Sequence, residues 1–493
     1  MKKSLSILLA LVMTAVMTLP TASAAHVTDS GQCGENTRWS LNDGQLVISG
    51  SGRVTDTPWL DHRDEIVTVY MERGIEAIPD RAFENCPAME RITVEENNRF
   101  YHSDEDGVLI SGGASACIIH APAKLGAFYV VRTESVGERA FSDCKGLKCV
   151  KINWAVSVAS EAFRGCEALE TVVFGAMPEI GENAFADTGG LRVYGGDIPD
   201  SDTGRFPTGT EIYKIADSGS CGEKSDYYSY GDAVQWLITE DGELMIYGQG
   251  RMTDYSGWTM PGWRGEDVKR ATVTDGVEYL GDYAFAGCTA MEHVTLPRDV
   301  ELGNIVFYNC VSLKEITLPE NLSGIGYEMF DGCRSLTEIA IPDTVTVIDQ
   351  YAFSGCSGLT ELTIPAGVRS IGEMAFRYCQ GLKELRFLGS RPTIHESAFY
   401  YDVFTAYRPA GDDSWSGIEN TVFALSAITW KTDRLTGDID GDGAITNSDL
   451  VTLARHIVGF RSEDAAIYGD MDGNGVVDNT DIVIMARVIV GIK

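Results

Sequence analysis

Basic side chains are scarce in this chain: 39 Lys and Arg stand against 72 Asp and Glu, a formal charge of -33. Removal of Lys2 and Lys3 with the N-terminal segment described below makes the balance more negative still. A surface of that sign repels polyphosphates and anionic membranes, which argues against nucleic-acid and lipid-surface roles. Long apolar runs are also missing. The stretch from Leu5 to Leu19 contains Thr14 and Thr18 and falls short of the roughly 20 residues a membrane helix needs, and no other run approaches that length. Catalytic signatures are absent as well: there is no H-E-x-x-H and no G-x-S-x-G, and the seven histidines, at 26, 62, 102, 120, 293, 395 and 456, are scattered. Cys117 precedes His120 by three residues, but in a predicted strand that spacing puts them on opposite faces. Carboxylate pairs of the glycosidase kind converge only in space and stay open.

What is present begins with Lys2-Lys3, the apolar run and Ala22-Ser23-Ala24, the pattern of a secretory signal peptide with the mature chain starting near Ala25. The remaining length suggests several domains. A repeat organises most of it. Phe285, Phe307, Phe330, Phe353, Phe376 and Phe399 follow one another at 22 or 23 residues, each after a short motif and before a run such as Leu359-x-x-Leu362-x-Ile364, which Pro365 ends. Alternate residues of such a run point inward, as in a strand, and a single unit cannot bury its apolar side alone, so neighbours must stack. An earlier array carries the same words around Phe83, Phe141, Phe163 and Phe185, interrupted after Phe83 by "NNRFYHSDEDGVLISGGASACIIHAPA", whose "DGVLIS" and "CIIHAP" suggest a hairpin in an enlarged repeat. Related leaders, "SGQCGENTRWSLNDGQLVISGSGRVTDTPW" and "SGSCGEK…VQWLITEDGELMIYGQGRMTDY", precede the two arrays, so the chain holds a duplicated module.

These residues resemble the BspA-like leucine-rich repeat family, whose members repeat I-G-x-x-A-F-x-x-C-x-x-L-x-x-I-x-I-P; "TAYRPAGDDSW…ALSAITW" looks like that family's C-terminal cap. The resemblance implies recognition and adhesion without naming a ligand. The expected fold is an α+β repeat solenoid: two BspA-like leucine-rich repeat arrays with β-rich caps, plus a small all-α module at the C-terminal end. The expected boundaries are a signal peptide at 1-24, a β-rich leader at 25-74, the first array at 75-196 and a linker at 197-217. A second leader then spans 218-270, the second array 271-390, a cap and linker 391-433, and the small C-terminal module 434-493.

The last of these rests on two copies of a calcium-loop pattern, "DIDGDGAITNSD" from Asp438 and "DMDGNGVVDNTD" from Asp470. Oxygen side chains occupy loop positions 1, 3, 5 and 12: Asp438, Asp440, Asp442 and Asp449, then Asp470, Asp472, Asn474 and Asp481. Position 7 would offer the carbonyls of Ala444 and Val476, and position 9 offers Thr446 and Asp478. Gly443 and Gly475 supply the sharp turn at position 6, and hard oxygen ligands in this order select calcium. The pattern departs from an EF-hand in having Asp at position 12 and no helix before the first loop. A helix follows each, "LVTLARHIVG" and "IVIMARVIVG". The two halves resemble a type I dockerin, the module that plugs secreted proteins into cohesins on a cellulosome scaffold. The resemblance implies two bound Ca2+ and a cohesin-facing set of Asn447, Ser448 and Arg455 with its copy Asn479, Thr480 and Arg487. The likeness of the halves implies docking in two rotated orientations.

Outward residues of the repeat strands define a candidate ligand face. In the second array they are His293/Thr295, Glu315/Thr317, Glu338/Ala340, Glu361/Thr363 and Glu384/Arg386, a column of four glutamates about 5 Å apart from coil to coil. Such a column either binds something cationic or is relieved by solvent. The first array offers Arg91/Thr93, Cys149/Lys151 and Thr171/Val173, so the two should not share a ligand. Aromatic platforms for sugars are missing from both faces. Tryptophans concentrate in leaders and caps, with "YSGWTMPGWRG" the best candidate for an exposed aromatic site. Cys86, Cys144, Cys166, Cys288, Cys310, Cys333, Cys356 and Cys379 each lie three residues after a repeat Phe. Coil spacing of about 5 Å exceeds the Cβ separation of about 3.8 Å that a disulfide wants, which favours buried free thiols; Cys33, Cys117, Cys149 and Cys221 stay open. The reading is a secreted, non-catalytic recognition protein bound to a scaffold through cohesin, its repeats facing an unknown protein or surface ligand. A carbohydrate-active or peptide-processing enzyme with its site in the leaders, or a structural spacer, are the alternatives.

Overall fold

The computed structural model describes residues 27-113, 115-142, 144-196, 198, 203-222, 234-264, 267-433, 437-440, 444-458, 465, 468-471 and 476-490. The expected signal segment lies outside the described residues, as do Asp442, Asp472 and Asn474. The chain divides into two compact units, Met1–Lys214 and Ile215–Lys493.

In the first unit an antiparallel leader, Val27–Gln32, Thr37–Asn42 and Gln45–Gly50, is extended by parallel strands Thr68–Met71 and Arg91–Val94. The switch from antiparallel to parallel pairing marks where hairpins give way to coils, since parallel neighbours need a crossover and a coil supplies it. Phe128–Val131, Cys149–Ile152, Thr171–Phe174 and Arg192–Gly195 then pair in register, one strand per coil. On the opposite side of the coils run two-residue strands, Ser135–Val136, Ser157–Val158 and Glu179–Ile180. The enlarged repeat does contain a hairpin: Leu109–Ser111 pairs antiparallel with both Tyr101–Ser103 and Cys117–His120. Part of the stretch expected to be a linker is strand, because Glu211–Ser220 begins by pairing in parallel with Arg192–Gly195.

The second unit repeats the scheme. The end of Glu211–Ser220 pairs antiparallel with Val234–Thr239, which pairs with Glu243–Gly248, and parallel strands Arg270–Val273 and His293–Thr295 follow. Regular strand pairing lapses over 315-318 and 338-341, yet Ile316, Leu318, Ile339 and Ile341 remain buried while Glu315, Thr317, Glu338 and Ala340 are exposed. Burial, rather than a complete hydrogen-bond ladder, sets the alternation there. Glu361–Ile364, Glu384–Phe387, Val403–Pro409 and Ala427–Asp433 resume the parallel sheet. Trp415, Trp430, Phe387 and Phe423 close its end, with the Trp415 indole donating to the Gly389 carbonyl at 3.0 Å. The C-terminal module contributes the α-helices α1 (Asn447–Ile457) and α2 (Asn479–Ile489).

The repeat motif explains the core. Phe285 through Phe399 form one stack with centroids 5.3 to 5.7 Å apart, and Phe141, Phe163 and Phe185 form another at 4.7 and 5.1 Å. That spacing is the strand-to-strand distance imposed by backbone hydrogen bonds. Two residues before the Phe, the chain takes a left-handed conformation even at Ile305 (φ 60°) and Tyr351 (φ 57°). The strain, about 1-2 kcal/mol per residue, is offset because it aims N–H groups at the next coil: Tyr351 N donates to Glu373 O and Phe353 N to Ala375 O, at 3.0 and 2.7 Å. All twelve cysteines are free, eleven of them buried, and Cys117 is half-buried; Cys33 and Cys221 sit in the leader cores. The ladder thiols donate to backbone carbonyls, as Cys356 does to Phe330 O at 3.1 Å.

Candidate calcium centre and exposed strand face

Asp438, Asp440 and Asp449 bring carboxylate oxygens within 4.8 Å of one another. Asp438 and Asp449 are fully buried, an arrangement that three like charges tolerate only with a cation or protons between them. Asp449 holds the loop shut: its Oδ1 accepts from Ile439 N (2.6 Å) and Asp440 N (3.0 Å), and its Oδ2 from Thr446 N (2.9 Å) and the Thr446 hydroxyl (3.2 Å). Burial by itself would raise this carboxyl; the N–H groups of Thr446, Asp440 and Ile439 outweigh it and hold the pKa below the ordinary value. The donors are backbone and hydroxyl dipoles, so the charge is stabilised in place and remains available to a metal. The second half repeats this. Asp481 is buried and accepts from Met471 N and Asp478 N, both at 2.7 Å. Hard carboxylate donors, buried and convergent, fit calcium.

Thr446 and Asp478, expected at loop position 9, are the N-caps of α1 and α2. Each accepts from the backbone N–H two residues on, Ser448 and Thr480, and each forms a capping box with the aspartate at position 12. The signal was legible as T-N-S-D and D-N-T-D, an N-cap followed three residues later by an acid. Asp at position 12, rather than the longer Glu, suits this second duty as the N3 member of the box. Ala444 and Val476 are exposed and Asp470 is half-buried. The helices pack over Ile439, Leu453, Ala465 and Met485.

Asn447, Ser448 and Arg455 are exposed on α1, as are Asn479, Thr480 and Arg487 on α2. Val451 and Val458 are also exposed, by 56% and 72%, and Val483 and Val490 by 56% and 66%. Steps of three and four residues put Ser448, Val451, Arg455 and Val458 on one helical stripe, and Thr480, Val483, Arg487 and Val490 on its copy. The sequence reading named the polar members and missed the valines; their departure from the buried face was the available signal.

On the second array the outward strand residues line an open groove of about 810 Å³. Its ends have partners. His293 Nδ1 stands 3.6 Å from Glu315, while Glu384 accepts from the Tyr407 hydroxyl at 3.4 Å and faces Arg386 at 3.9 Å. Arg386 in turn pairs with Asp433 and covers the Tyr407 ring. Glu338 and Glu361, in the middle, are exposed and have no ion-pair or hydrogen-bond partner among the described residues. The first array differs from expectation. Arg91 is exposed, but Cys149, Thr171 and Val173 are buried, and burial pushes the Cys149 thiol up to about 12. Val130, Val173 and Tyr194 are buried on that outward face beside half-buried Lys151, with Arg192 exposed at its edge, so much of the face is covered.

The Cys117–His120 pair does not form a nucleophile. His120 is buried beside Phe83 with its pKa lowered by burial to about 4, and Cys117 lies on the other face of the strand. Of the tryptophans, Trp258 is 97% exposed, as expected for its segment, and Trp154, which the sequence reading passed over, is 56% exposed.

Geometry therefore defines a class: stacked leucine-rich coils joined in one chain to a duplicated loop-helix module with a buried carboxylate cluster. The BspA type leucine rich repeat region matches in six copies over residues 60–104, 130–194, 265–305 and 278–406, and the dockerin type I domain matches residues 436–490. Together the repeats cover just over half of the chain, and the protein belongs to the BspA-type leucine-rich repeat family, with a C-terminal type I dockerin. Type I dockerins bind calcium, and both matched modules are typically non-catalytic. Among solved structures the chain is similar to a leucine-rich cell surface protein of Faecalibacterium prausnitzii (20% identity over 75% of this chain and 96% of that one, TM-score 0.27). It is also similar to a leucine-rich repeat protein of Bacteroides ovatus (17%, 83% and 100%, TM-score 0.32) and to the leucine-rich repeat protein of T. pallidum (25%, 37% and 86%, TM-score 0.27). No curated protein matches the chain. Among the described residues no helix is long and apolar enough to cross a membrane.

Proposed function

We propose that the protein is a secreted, non-catalytic binding subunit carried on a scaffold by its dockerin, with the outward strand face of the second array as its ligand surface. Two Ca2+ order the module, one through Asp438, Asp440, Asp442 and Asp449, the other through Asp470, Asp472, Asn474 and Asp481, while Thr446 and Asp478 start the helices. The observation that carries the reading is the duplicated exposed stripe, Ser448-Val451-Arg455-Val458 and Thr480-Val483-Arg487-Val490, on helices that begin at the carboxylate-bearing loops. Each stripe sets two aliphatic side chains around one cation, the make-up of a protein-docking patch: apolar area for affinity and a charge for register. A cohesin is the partner expected for such a module.

Calorimetry against a set of type I cohesins tests this. With calcium present, Val451→Asp or Val483→Asp alone should weaken binding by only about twofold, since one of two equivalent modes survives, and the double variant by more than about 100-fold. Full cohesin affinity in the double variant, or binding that survives excess chelator, refutes the proposal. For the repeat face, Glu338 and Glu361, unpaired among the described residues between partnered ends, favour a ligand bearing basic groups.

A further inference from the structure

The thiol ladder of the second array does not end in a cysteine. Cys288, Cys310, Cys333, Cys356 and Cys379 each follow their phenylalanine by three residues, and the residue three after Phe399 is Asp402. Along the ladder every thiol from the second rung onward donates to the phenylalanine carbonyl of the preceding coil: Cys310 to Phe285, Cys333 to Phe307, Cys356 to Phe330 and Cys379 to Phe353, each at 3.1 Å. The next acceptor in that series is the Phe376 carbonyl. A carboxylate has no hydrogen to offer it; a carboxylic acid has one.

Asp402 is 0% exposed, and neither of its side-chain oxygens has a hydrogen-bond partner of acceptable geometry. Its backbone is pinned, with its N–H on Phe399 O at 3.0 Å and its carbonyl accepting from Ala427 N at 2.9 Å. The side chain therefore reaches water only if the last coil and the strand Ala427–Asp433 come apart. Among the described residues nothing charged stands opposite it. The preceding coil brings the Cys379 thiol and N–H, and the segment entering the final strand brings the Ser426 hydroxyl, which is committed to the carbonyls of Phe399 and Ala424. On its own coil His395 is turned to Ser397. An ionised carboxylate in such a place carries the full desolvation penalty.

We propose that Asp402 is held as the neutral acid, its O–H taking the place of a cysteine S–H as the last rung of the ladder, and that this proton latches the C-terminal cap, Val403–Asp433, to the array. Consistent with the packing, burial pushes its pKa up to about 8, with the Cys379 N–H offsetting part of the rise. The folded-state value lies above the unfolded one, so the latch is strongest in acid, and opening becomes easier by about tenfold per pH unit between about 4 and 8. A cap that loosens towards alkaline pH is the functional consequence.

Hydrogen exchange on the full chain with calcium, read at the amides of 399-433 and corrected for intrinsic rates, tests the latch. The wild-type opening constant should rise about 50-fold from pH 6 to pH 8. Asp402→Cys, which restores the residue used in the other rungs, and Asp402→Asn, which is neutral at every pH, should remove that rise and be better protected than wild type at pH 8. Amides of the coils around Phe307 and Phe330 should show neither effect. A wild-type cap whose opening does not change between pH 6 and 8, or an Asp402→Cys protein with the wild-type slope, overturns the proposal.

Discussion

Each coil of the two arrays buries a phenylalanine, a small ladder residue and several aliphatic side chains against its neighbours, whereas among the described residues the calcium module fully buries four apolar residues, Ile439, Leu453, Ala465 and Met485, with others only partly buried around them, beside the buried carboxylates Asp438, Asp449 and Asp481. Apolar contact alone can hold the first kind of structure. In the second kind, a core that small leaves the charges in control, and the free energy of binding metal becomes the free energy of folding. The difference suits the two tasks. An array must keep its face rigid whatever the solvent, while a docking module gains from being conditional on an ion.

Chelation should separate the two regions most widely. Excess chelator should abolish the helical circular dichroism of α1 and α2, and leave the melting of the arrays unmoved; a helical signal that survives would mean that the small core suffices. Within an array the largest effect should come from the aromatic stack. Phe330→Ala removes a ring stacked on both sides and should cost about 3-5 kcal/mol by denaturant unfolding. A loss under about 1 kcal/mol would show that the stack is incidental.

Acid should distinguish the two arrays from each other. His120 takes the place of a phenylalanine beside Phe83 in the enlarged repeat, and its folded pKa of about 4 lies below the ordinary 6.5. The unfolded chain then binds the proton first, so stability is full above about pH 6.5 and falls as the pH drops to about 4, by about 3 kcal/mol in all. His120→Phe should erase that loss. His62, whose pKa is raised by Glu65 and Asp29, acts in the opposite sense, so the wild type must be compared with the variant rather than read alone. Among the described residues the second array buries no histidine and should lack this acid limb. The smallest effect on stability is expected at the glutamate column. Glu338→Lys with Glu361→Lys should change unfolding by no more than about 0.5 kcal/mol, because both side chains are exposed and unpaired. A ligand captured from secreted fractions should nevertheless be lost, and unchanged capture would make the column a merely solvated face.

Much of this was legible in the sequence because it follows from period. Spacings of 22 and 23 residues gave the coils, alternation gave the buried and exposed members of Leu359 to Ile364, and the order of oxygens gave the calcium loops. The exposed valines of α1 and α2 were missed because a valine is read as core until the packed face of its helix is known. Cys149, Thr171 and Val173 were placed outside by strand alternation, which fixes the side of a sheet but says nothing about whether that side is covered.

What the sequence determined by itself was local and repetitive: the unit, its inward side, the thiol every 22 or 23 residues, and the acids at loop positions 1 and 12. Tertiary structure decided whatever depends on a neighbour distant in the chain. It set which glutamates of the column have partners, made Thr446 and Asp478 caps, and buried Asp402 where a cysteine would stand. The physical reason is that periodicity specifies direction, whereas charge state and exposure depend on what the fold places opposite each side chain.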